Sequence, residues 1–175
     1  MMVSLDGLIE GPDKNIDWHV WDEEMSQFMG SFFNRVDTLL FGRVTYEMML
    51  DFWPTATTED PVITERMNNL PKIVFSRTLD QMTWNSRLIK ENIPGEIHKL
   101  KQQAGKDMVL FGGADIATTL IGEGLIDEYQ IIINPVVLRK GKPLFKGLQK
   151  GFKLNLIKSK SFNSGNVVLN YLPVF

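Results

Sequence analysis

Three short stretches of this chain carry residue types that suit a phosphate group. They are FGRVT at 41–45, VFSRT at 74–78 and VLFGGAD at 109–115. In each, a buried apolar strand is expected to run into glycine, hydroxyl or arginine residues. Glycine lets an anion approach the backbone, and the amides at a helix N-terminus, together with the helix dipole, favour negative charge. One pyrophosphate and one further phosphate are what NADPH presents, so the three stretches together favour that coenzyme.

The first two stretches suit different phosphates. In the first, Gly42 permits close approach, Arg43 adds a charge, and Thr45 either caps the following helix or hydrogen-bonds a phosphate. In the second, the hydroxyls of Ser76 and Thr78 flank Arg77, whose guanidinium pairs with two oxygens of a phosphate monoester at once. Taken singly, a tight turn and a solvated loop explain these stretches as well as a phosphate site does.

The third stretch places Gly112 and Gly113 between an apolar strand and a helix that starts with Ala114 and Asp115. This order aims the first helix amides at a diphosphate. It is not the Rossmann fingerprint, because no G-x-G-x-x-G occurs in the chain. The alternative is a short strand-to-helix turn with no ligand.

Only a few single residues are candidates for direct chemistry. Asp6 ends the first predicted strand beside a glycine and is the best candidate for a proton donor, although a carboxylate there also caps turns. Trp18 and Trp21 either stack on a flat heterocycle or anchor their loop to the core. His19, between them, is expected to be a surface or packing residue.

Composition narrows the class of protein. Of the 175 residues 43% are apolar and 23% charged, the formal net charge is −2, and there is no cysteine and only two histidines. This is typical of a single globular domain over 1–175 in the cytoplasm, without nucleic-acid or membrane partners. No stretch approaches the ~20 apolar residues that span a bilayer. Metal centres are improbable, so the chemistry must come from a bound cofactor, carboxylates or hydroxyls.

The apolar pattern predicts alternating strands and helices. A helix capped by Asp22 has one apolar face: Met25, Phe28, Met29, Phe32, Phe33 and Val36. Residues 8–21 are predicted to be a loop. Further strands are predicted at 2–5, 38–41, 72–76, 87–89, 108–111 and 129–134, and further helices at 45–53, 61–69 (capped by Asp60), 94–105 and 114–123.

This alternation predicts an α/β fold with a mostly parallel central sheet flanked by helices. The last part of the chain differs, because residues 152–156 alternate apolar with polar, a turn follows at 163–165, and 167–172 returns as a strand. We therefore expect a C-terminal antiparallel hairpin. Ligands of parallel sheets bind beyond the carboxyl ends of the strands, which is where the three glycine or hydroxyl stretches lie.

Four motifs resemble those of one family in their order and spacing. They are SLDG at 4–7, GRVTYE at 42–47, SRTL at 76–79 and GGADI at 112–116. The family is dihydrofolate-reductase-like and is typified by the C-terminal reductase domain of the bifunctional riboflavin-biosynthesis deaminase-reductase. The resemblance covers essentially the whole chain. It implies an NADPH-dependent reductase, often a homodimer built through its last strands.

The resemblance also implies roles by position. Gly42, Arg43 and Thr45 would meet the coenzyme phosphates, with Ser76 and Arg77 near the adenosine 2′-phosphate. Val3 would line the nicotinamide pocket, and Trp18 would lie in a loop that closes over the site. The diphosphate and nicotinamide side would be cradled by Gly112, Gly113, Ala114, Asp115 and Ile116.

The chain departs from the family where substrate is bound. Phe111 stands immediately before the glycine pair, where the riboflavin enzyme has an acidic residue, and it is a candidate substrate contact. Dihydrofolate reductases place a carboxylate on the first long helix, where the nearest polar candidates here are Glu24 and Ser26. The expected activity is reduction of a pyrimidine- or pterin-like heterocycle. The alternatives are dihydrofolate reduction and a non-catalytic, NADPH-binding sensor.

Overall fold

The computed structural model describes residues 1–174. The chain divides into two units, each with its own sheet. We call Ser26–Ile116 the central unit, and Met1–Met25 together with the chain from Ala117 onward the terminal unit. That residues 1–175 form a single domain stays a prediction.

Five α-helices and ten strands make up the described chain. The helices are α1 (Glu23–Phe33), α2 (Arg43–Phe52), α3 (Pro61–Asn69), α4 (Ile93–Lys101) and α5 (Ala114–Gly122), with a 3₁₀ turn at Trp53–Thr55. The strands are β1 (Met2–Val3), β2 (Leu8–Glu10), β3 (Val36–Gly42), β4 (Lys72–Phe75), β5 (Ser86–Ile89), β6 (Asp107–Gly112), β7 (Tyr129–Ile133), β8 (Lys142–Pro143), β9 (Lys153–Ser161) and β10 (Val167–Val174).

The central unit is built on a four-stranded sheet in the order β5-β4-β3-β6. All three pairings are parallel. Every residue of β4 is buried, and in β3 the side chains of Leu39 and Phe41 are fully buried. A strand that is apolar on both faces needs cover on both faces, as parallel sheets generally have. The predicted parallel sheet is confirmed.

Helix α1 confirms the predicted cap and most of the predicted apolar face. The Asp22 carboxylate accepts a hydrogen bond from the Met25 amide at 2.8 Å, and Met25, Met29 and Phe33 are buried. The prediction was wrong about Val36, which opens β3. The helix ends earlier because the amides at 34 and 35 bond to carbonyls three residues back, the tighter pattern that closes a last turn.

Some of the other helix boundaries lie where they were predicted, and others do not. Asp60 caps α3 as predicted, since its carboxylate accepts from the amides of Val62 and Ile63. Helix α2 begins at Arg43 rather than Thr45, and its N-cap is Gly42. Thr45 therefore lies inside the first turn and is not the cap. Helix α4 ends at Lys101, short of the predicted end at 105.

The terminal unit holds a second four-stranded sheet in the order β1-β7-β10-β9. Strand β1 is parallel to β7, whereas β10 is antiparallel to both β7 and β9, so the predicted C-terminal hairpin is confirmed. The predicted loop over 8–21 was wrong at its start, because Leu8–Glu10 forms β2 and pairs with β8. Three residues are too short for the alternation that identifies a strand in a sequence.

Within residues 1–174, the helices are all too short or too polar to cross a bilayer.

Candidate functional site

Three parallel strands of the central unit end side by side at one edge of the sheet. The register pairs Gly42 at the end of β3 with Phe75 at the end of β4, and Phe41 with Gly112 at the end of β6. The three predicted phosphate stretches follow these strand ends directly. The structure therefore brings together the eleven candidate coenzyme residues of the central unit: Gly42, Arg43, Thr45, Ser76, Arg77, Thr78, Gly112, Gly113, Ala114, Asp115 and Ile116.

Glycine is required at this edge by close packing. Gly113 has a φ of +99°, and a Cβ there would lie 3.2 Å from the Cα of Gly42 and 3.1 Å from the Cγ2 of Ile116. A Cβ on Gly112 would lie 2.8 Å from the Cγ2 of Thr45. Cβ atoms are rarely found so close to other heavy atoms in proteins. The absence of side chains here lets the start of α2 and the start of α5 lie next to each other.

The start of α2 is open to a ligand. Its N-cap, Gly42, has no side chain and makes no capping hydrogen bond. The first amides of a helix have no partner within the helix, so an uncapped start leaves donors and the positive end of the dipole available. Arg43 already forms an ion pair with Glu47, with 2.8 Å between Nη1 and Oε2 and both side chains partly exposed. A bound phosphate would compete with Glu47 for this guanidinium.

The stretch after β4 is organised by its serine. The Oγ of Ser76 accepts hydrogen bonds from the amides of Thr78 at 3.2 Å and Leu79 at 3.1 Å, which fixes the turn. Arg77, at the tip, is exposed. Among residues 1–174 it has neither a hydrogen-bond partner nor an ion pair. Its guanidinium is thus exposed at the strand end, with no carboxylate among the described residues to neutralise it.

Asp6 lies in the terminal unit and is fully engaged as an acceptor. Its Oδ1 accepts from the Ser4 hydroxyl at 2.7 Å and from the Leu138 amide at 3.1 Å, and its Oδ2 accepts from the Arg139 amide at 2.8 Å. These hydrogen bonds, led by that of Ser4, lower the pKa of the carboxyl. A carboxylate held ionised is a poor proton donor. The geometry supports the turn-capping alternative for Asp6.

Residues 15–21 of the terminal unit, which we call the tryptophan loop, contact one another. The indole nitrogen of Trp18 donates to the Asn15 carbonyl at 3.2 Å, and its ring meets the edge of His19 with centroids 4.4 Å apart. Burial lowers the pKa of His19 to about 4, so the imidazole is neutral at pH 7 and packs as predicted. Trp21 is 43% exposed. Val3, the predicted nicotinamide contact, is buried in β1.

Two candidate substrate residues, Phe111 and Glu24, have partners within the protein. The ring of Phe111 stacks on Phe33, with centroids 5.7 Å apart and planes 9° apart, and it also lies 6.2 Å from Phe41. Glu24 accepts from the Asn163 amide at 3.1 Å and pairs with Lys160 at 3.3 Å. Phe111 therefore belongs to an aromatic cluster of the central unit, and Glu24 is committed to the terminal hairpin.

Two asparagines that the sequence did not single out hold the tryptophan loop. Asn134 and Asn166 have 0% exposure. The Oδ1 of Asn134 accepts from the Val20 amide at 2.9 Å, and the Nδ2 of Asn166 donates to the Val20 carbonyl at 2.8 Å. Asn134 is the last residue of the predicted strand 129–134, and Asn166 directly precedes the predicted strand 167–172; these positions are the only signal that the sequence offers.

Known proteins are similar to this chain over almost its whole length. The family model described as "RibD C-terminal domain" matches residues 1–168. YyaP of Bacillus subtilis (strain 168), which is uncharacterized, is 38% identical over 175 residues, covering 98% of this chain and 91% of YyaP. A protein of Shewanella sp. PV-4 that is named for riboflavin biosynthesis is 26% identical with a TM-score of 0.79, covering 100% of this chain and 97% of that one.

Dihydrofolate reductase has the same fold. The enzyme of Enterococcus faecalis, solved with NADP(H) and RAB-propyl, has a TM-score of 0.68 at 16% identity, covering 98% of this chain and 92% of that chain. At that identity the likeness shows the fold alone. The predicted dihydrofolate-reductase-like α/β fold is confirmed.

The glycine packing at the sheet edge yields a stability prediction. Gly113→Ala should lower the free energy of unfolding by about 2 kcal/mol or more, because the new Cβ adds left-handed strain to a backbone clash. Gly122→Ala is the matched control: nothing lies within 4 Å of a Cβ there, so helix propensity should leave stability equal or slightly higher. Urea denaturation measures both. Equal stability of the two variants would contradict the close approach of Gly42 and Gly113.

Proposed function

Because this chain belongs to the RibD C-terminal domain family, we propose that it is an oxidoreductase that transfers hydride from NADPH to a flat heterocycle. The substrate is a pyrimidine or pterin, and the reaction is of the 5-amino-6-(5-phosphoribosylamino)uracil reductase type. The observation that carries the proposal is the single sheet edge at which β3, β4 and β6 end in anion-suited residues.

The residues at this edge fit the phosphates of the coenzyme. The diphosphate would lie against the starts of α2 and α5, which the close packing of Gly42, Gly112 and Gly113 brings side by side. Arg43 and Thr45 would contact it from the first turn of α2. The 2′-phosphate would pair with Arg77, which has no carboxylate partner within residues 1–174, beside the hydroxyls of Ser76 and Thr78. In this proposal Asp115 and Ile116 continue the cradle along α5.

The coenzyme supplies the hydride when it is bound, and the protein orients it and excludes water. Val3 would line the nicotinamide pocket, while Trp18 and Trp21 would stack on the substrate ring. Since Asp6 is engaged as an acceptor, the proton that completes the reduction comes from water. A reductase that consumes NADPH works where that coenzyme is regenerated, so the proposed location is the cytoplasm.

One observation favours a second candidate, an NADPH-binding sensor without catalysis. Phe111 is packed into an aromatic cluster and the candidate carboxylates Asp6 and Glu24 are committed to backbone or lysine partners. The proposed coenzyme residues at the ends of β3, β4 and β6 do not include these three, so the protein would still bind NADPH if it had lost turnover. Dihydrofolate reduction is disfavoured, because the Glu24 carboxylate is not available to pair with a pterin.

A turnover assay separates these candidates. NADPH oxidation should be followed at 340 nm with a panel of pyrimidines, pterins, nitro compounds and quinones, and NADPH binding by calorimetry. The reductase proposal predicts binding together with turnover of a pyrimidine or pterin. Binding without turnover of any acceptor would favour the sensor, and no binding would contradict both.

The proposed 2′-phosphate contact gives a sharper prediction. Arg77→Ala should weaken NADPH binding by about 1.5 to 3 kcal/mol, the scale of a charge-assisted hydrogen bond, and NADH binding much less. Arg35→Ala is the control, because Arg35 lies just before β3 at the opposite edge of the same sheet. Calorimetry with both coenzymes measures the difference. An equal loss for NADPH and NADH would rule out the 2′-phosphate role.

The terminal sheet supports the further proposal of a homodimer. On β10, Val168 is 1% exposed, whereas Val167, Leu169 and Tyr171 on the opposite face are partly exposed. The register sets Leu169 beside Ile131 of β7, which is also partly exposed. This face is apolar across neighbouring strands, and these side chains are only partly buried among the described residues. A second copy of the chain, packing face to face, would bury it.

Charge placed on this face should disrupt the dimer. Leu169→Glu should shift the protein toward monomer in multi-angle light scattering, because a buried carboxylate without a partner is costly. The matched control is Leu172→Glu, since Leu172 is on the same strand but the other face and is already 41% exposed. A Leu169→Glu protein that stays dimeric would move the interface elsewhere.

A further inference from the structure

We propose that Asp6 is a positioning residue, whose carboxylate binds a nest of backbone amides after β7 and thereby fixes the end of β1. The inference rests on the proposed function in one respect, namely that the end of β1 carries Val3 to the nicotinamide. The contacts themselves lie entirely within the terminal unit.

The nest consists of two successive backbone amides. Those of Leu138 and Arg139 both donate to the Asp6 carboxylate, one to each oxygen, at 3.1 and 2.8 Å. Arg139 has a φ of +66°, the left-handed conformation that non-glycine residues rarely adopt. Successive N–H groups around a left-handed residue form a concave anion site. In this protein the anion is a side chain of the same chain.

The other side of the carboxylate is tied to the turn after β1. The Ser4 hydroxyl, buried in the unit, donates to Asp6 at 2.7 Å and accepts from the Leu8 amide at 2.9 Å. The Leu5 amide donates to the Val136 carbonyl at 2.7 Å. The turn at 4–8 and the loop at 136–139 are therefore joined by the carboxylate and by one backbone bond. We call this connection the Asp6 latch.

The arrangement needs a carboxylate rather than an amide. Three donors converge on Asp6, and a carboxylate accepts on both oxygens. An asparagine would turn an NH₂ group toward one of these donors and leave that donor unpaired. The lowered pKa of Asp6 agrees with this, because hydrogen bonds to the charged form favour it.

Positioning and proton donation differ in what they affect. If Asp6 positions β1, its loss loosens the loop at 136–139 and lowers the hydride-transfer rate. The coenzyme phosphates still bind where β3, β4 and β6 end, and the pH profile of the rate keeps its shape. If Asp6 donates the proton, its loss removes a titrating group from the pH profile and leaves the loop amides as they were.

The test compares Asp6→Asn with Asp13→Asn, an exposed carboxylate in the next turn. Hydrogen exchange of the Leu138 and Arg139 amides, resolved by NMR, should accelerate roughly tenfold in Asp6→Asn, because each amide loses a charge-assisted partner. It should not change in Asp13→Asn. Ser4→Ala, which keeps the carboxylate, should give a smaller acceleration. If Asp6→Asn does not fold, Ser4→Ala decides, since unchanged exchange there would overturn the Asp6 latch.

Kinetics supply the second readout. In Asp6→Asn the kcat for NADPH oxidation should fall while the Kd for NADPH stays within about twofold and the pH dependence of kcat is unchanged in shape. Unchanged exchange at 138 and 139, or loss of one limb of the pH profile, would overturn the proposal. Exchange is measured without coenzyme, so failure of NADPH to bind the unmodified protein would count against the proposed function and not against the Asp6 latch.

Discussion

The proposed coenzyme site depends on one contact, the approach of the backbone at Gly113 to the backbone at Gly42. A Cβ on Gly113 would lie 3.2 Å from the neighbouring Cα, so glycine is what lets the ends of β3 and β6 come this close. Because of that approach, the first turns of α2 and α5 start side by side. Two helix N-termini that lie side by side would attract an anion more strongly than either does alone.

This geometry indicates which tasks the protein would perform in the proposed reaction and which the coenzyme would perform. Backbone amides and the guanidinium of Arg77 would bind phosphates, for which no titrating side chain is needed. The hydride would come with the coenzyme, so the proposed reaction would need no cysteine and no ionised histidine; the chain has no cysteine, and burial lowers the pKa of His19 to about 4. In this proposal, specificity for the acceptor would depend on apolar and aromatic side chains, which short sequence motifs do not identify.

The sequence predicted what local patterns determine. The apolar face of α1, the Asp60 cap and the parallel central sheet follow from periodicity and capping chemistry, and all are confirmed except at Val36. What it missed depends on contacts between distant residues. Val36 has helical spacing but pairs in β3, Leu8–Glu10 needs β8 to become a strand, and Asp6 has amide partners more than 130 positions away.

The most direct test of the central claim is an NMR titration of the protein with NADPH, following backbone amides. We predict that the largest shifts occur at Arg43, Val44, Gly113 and Ala114, and that NADP⁺ with its 2′-phosphate also shifts Arg77 whereas NAD⁺ does not. Shifts confined to the amino ends of the same strands, or no shifts with either coenzyme, would contradict the claim.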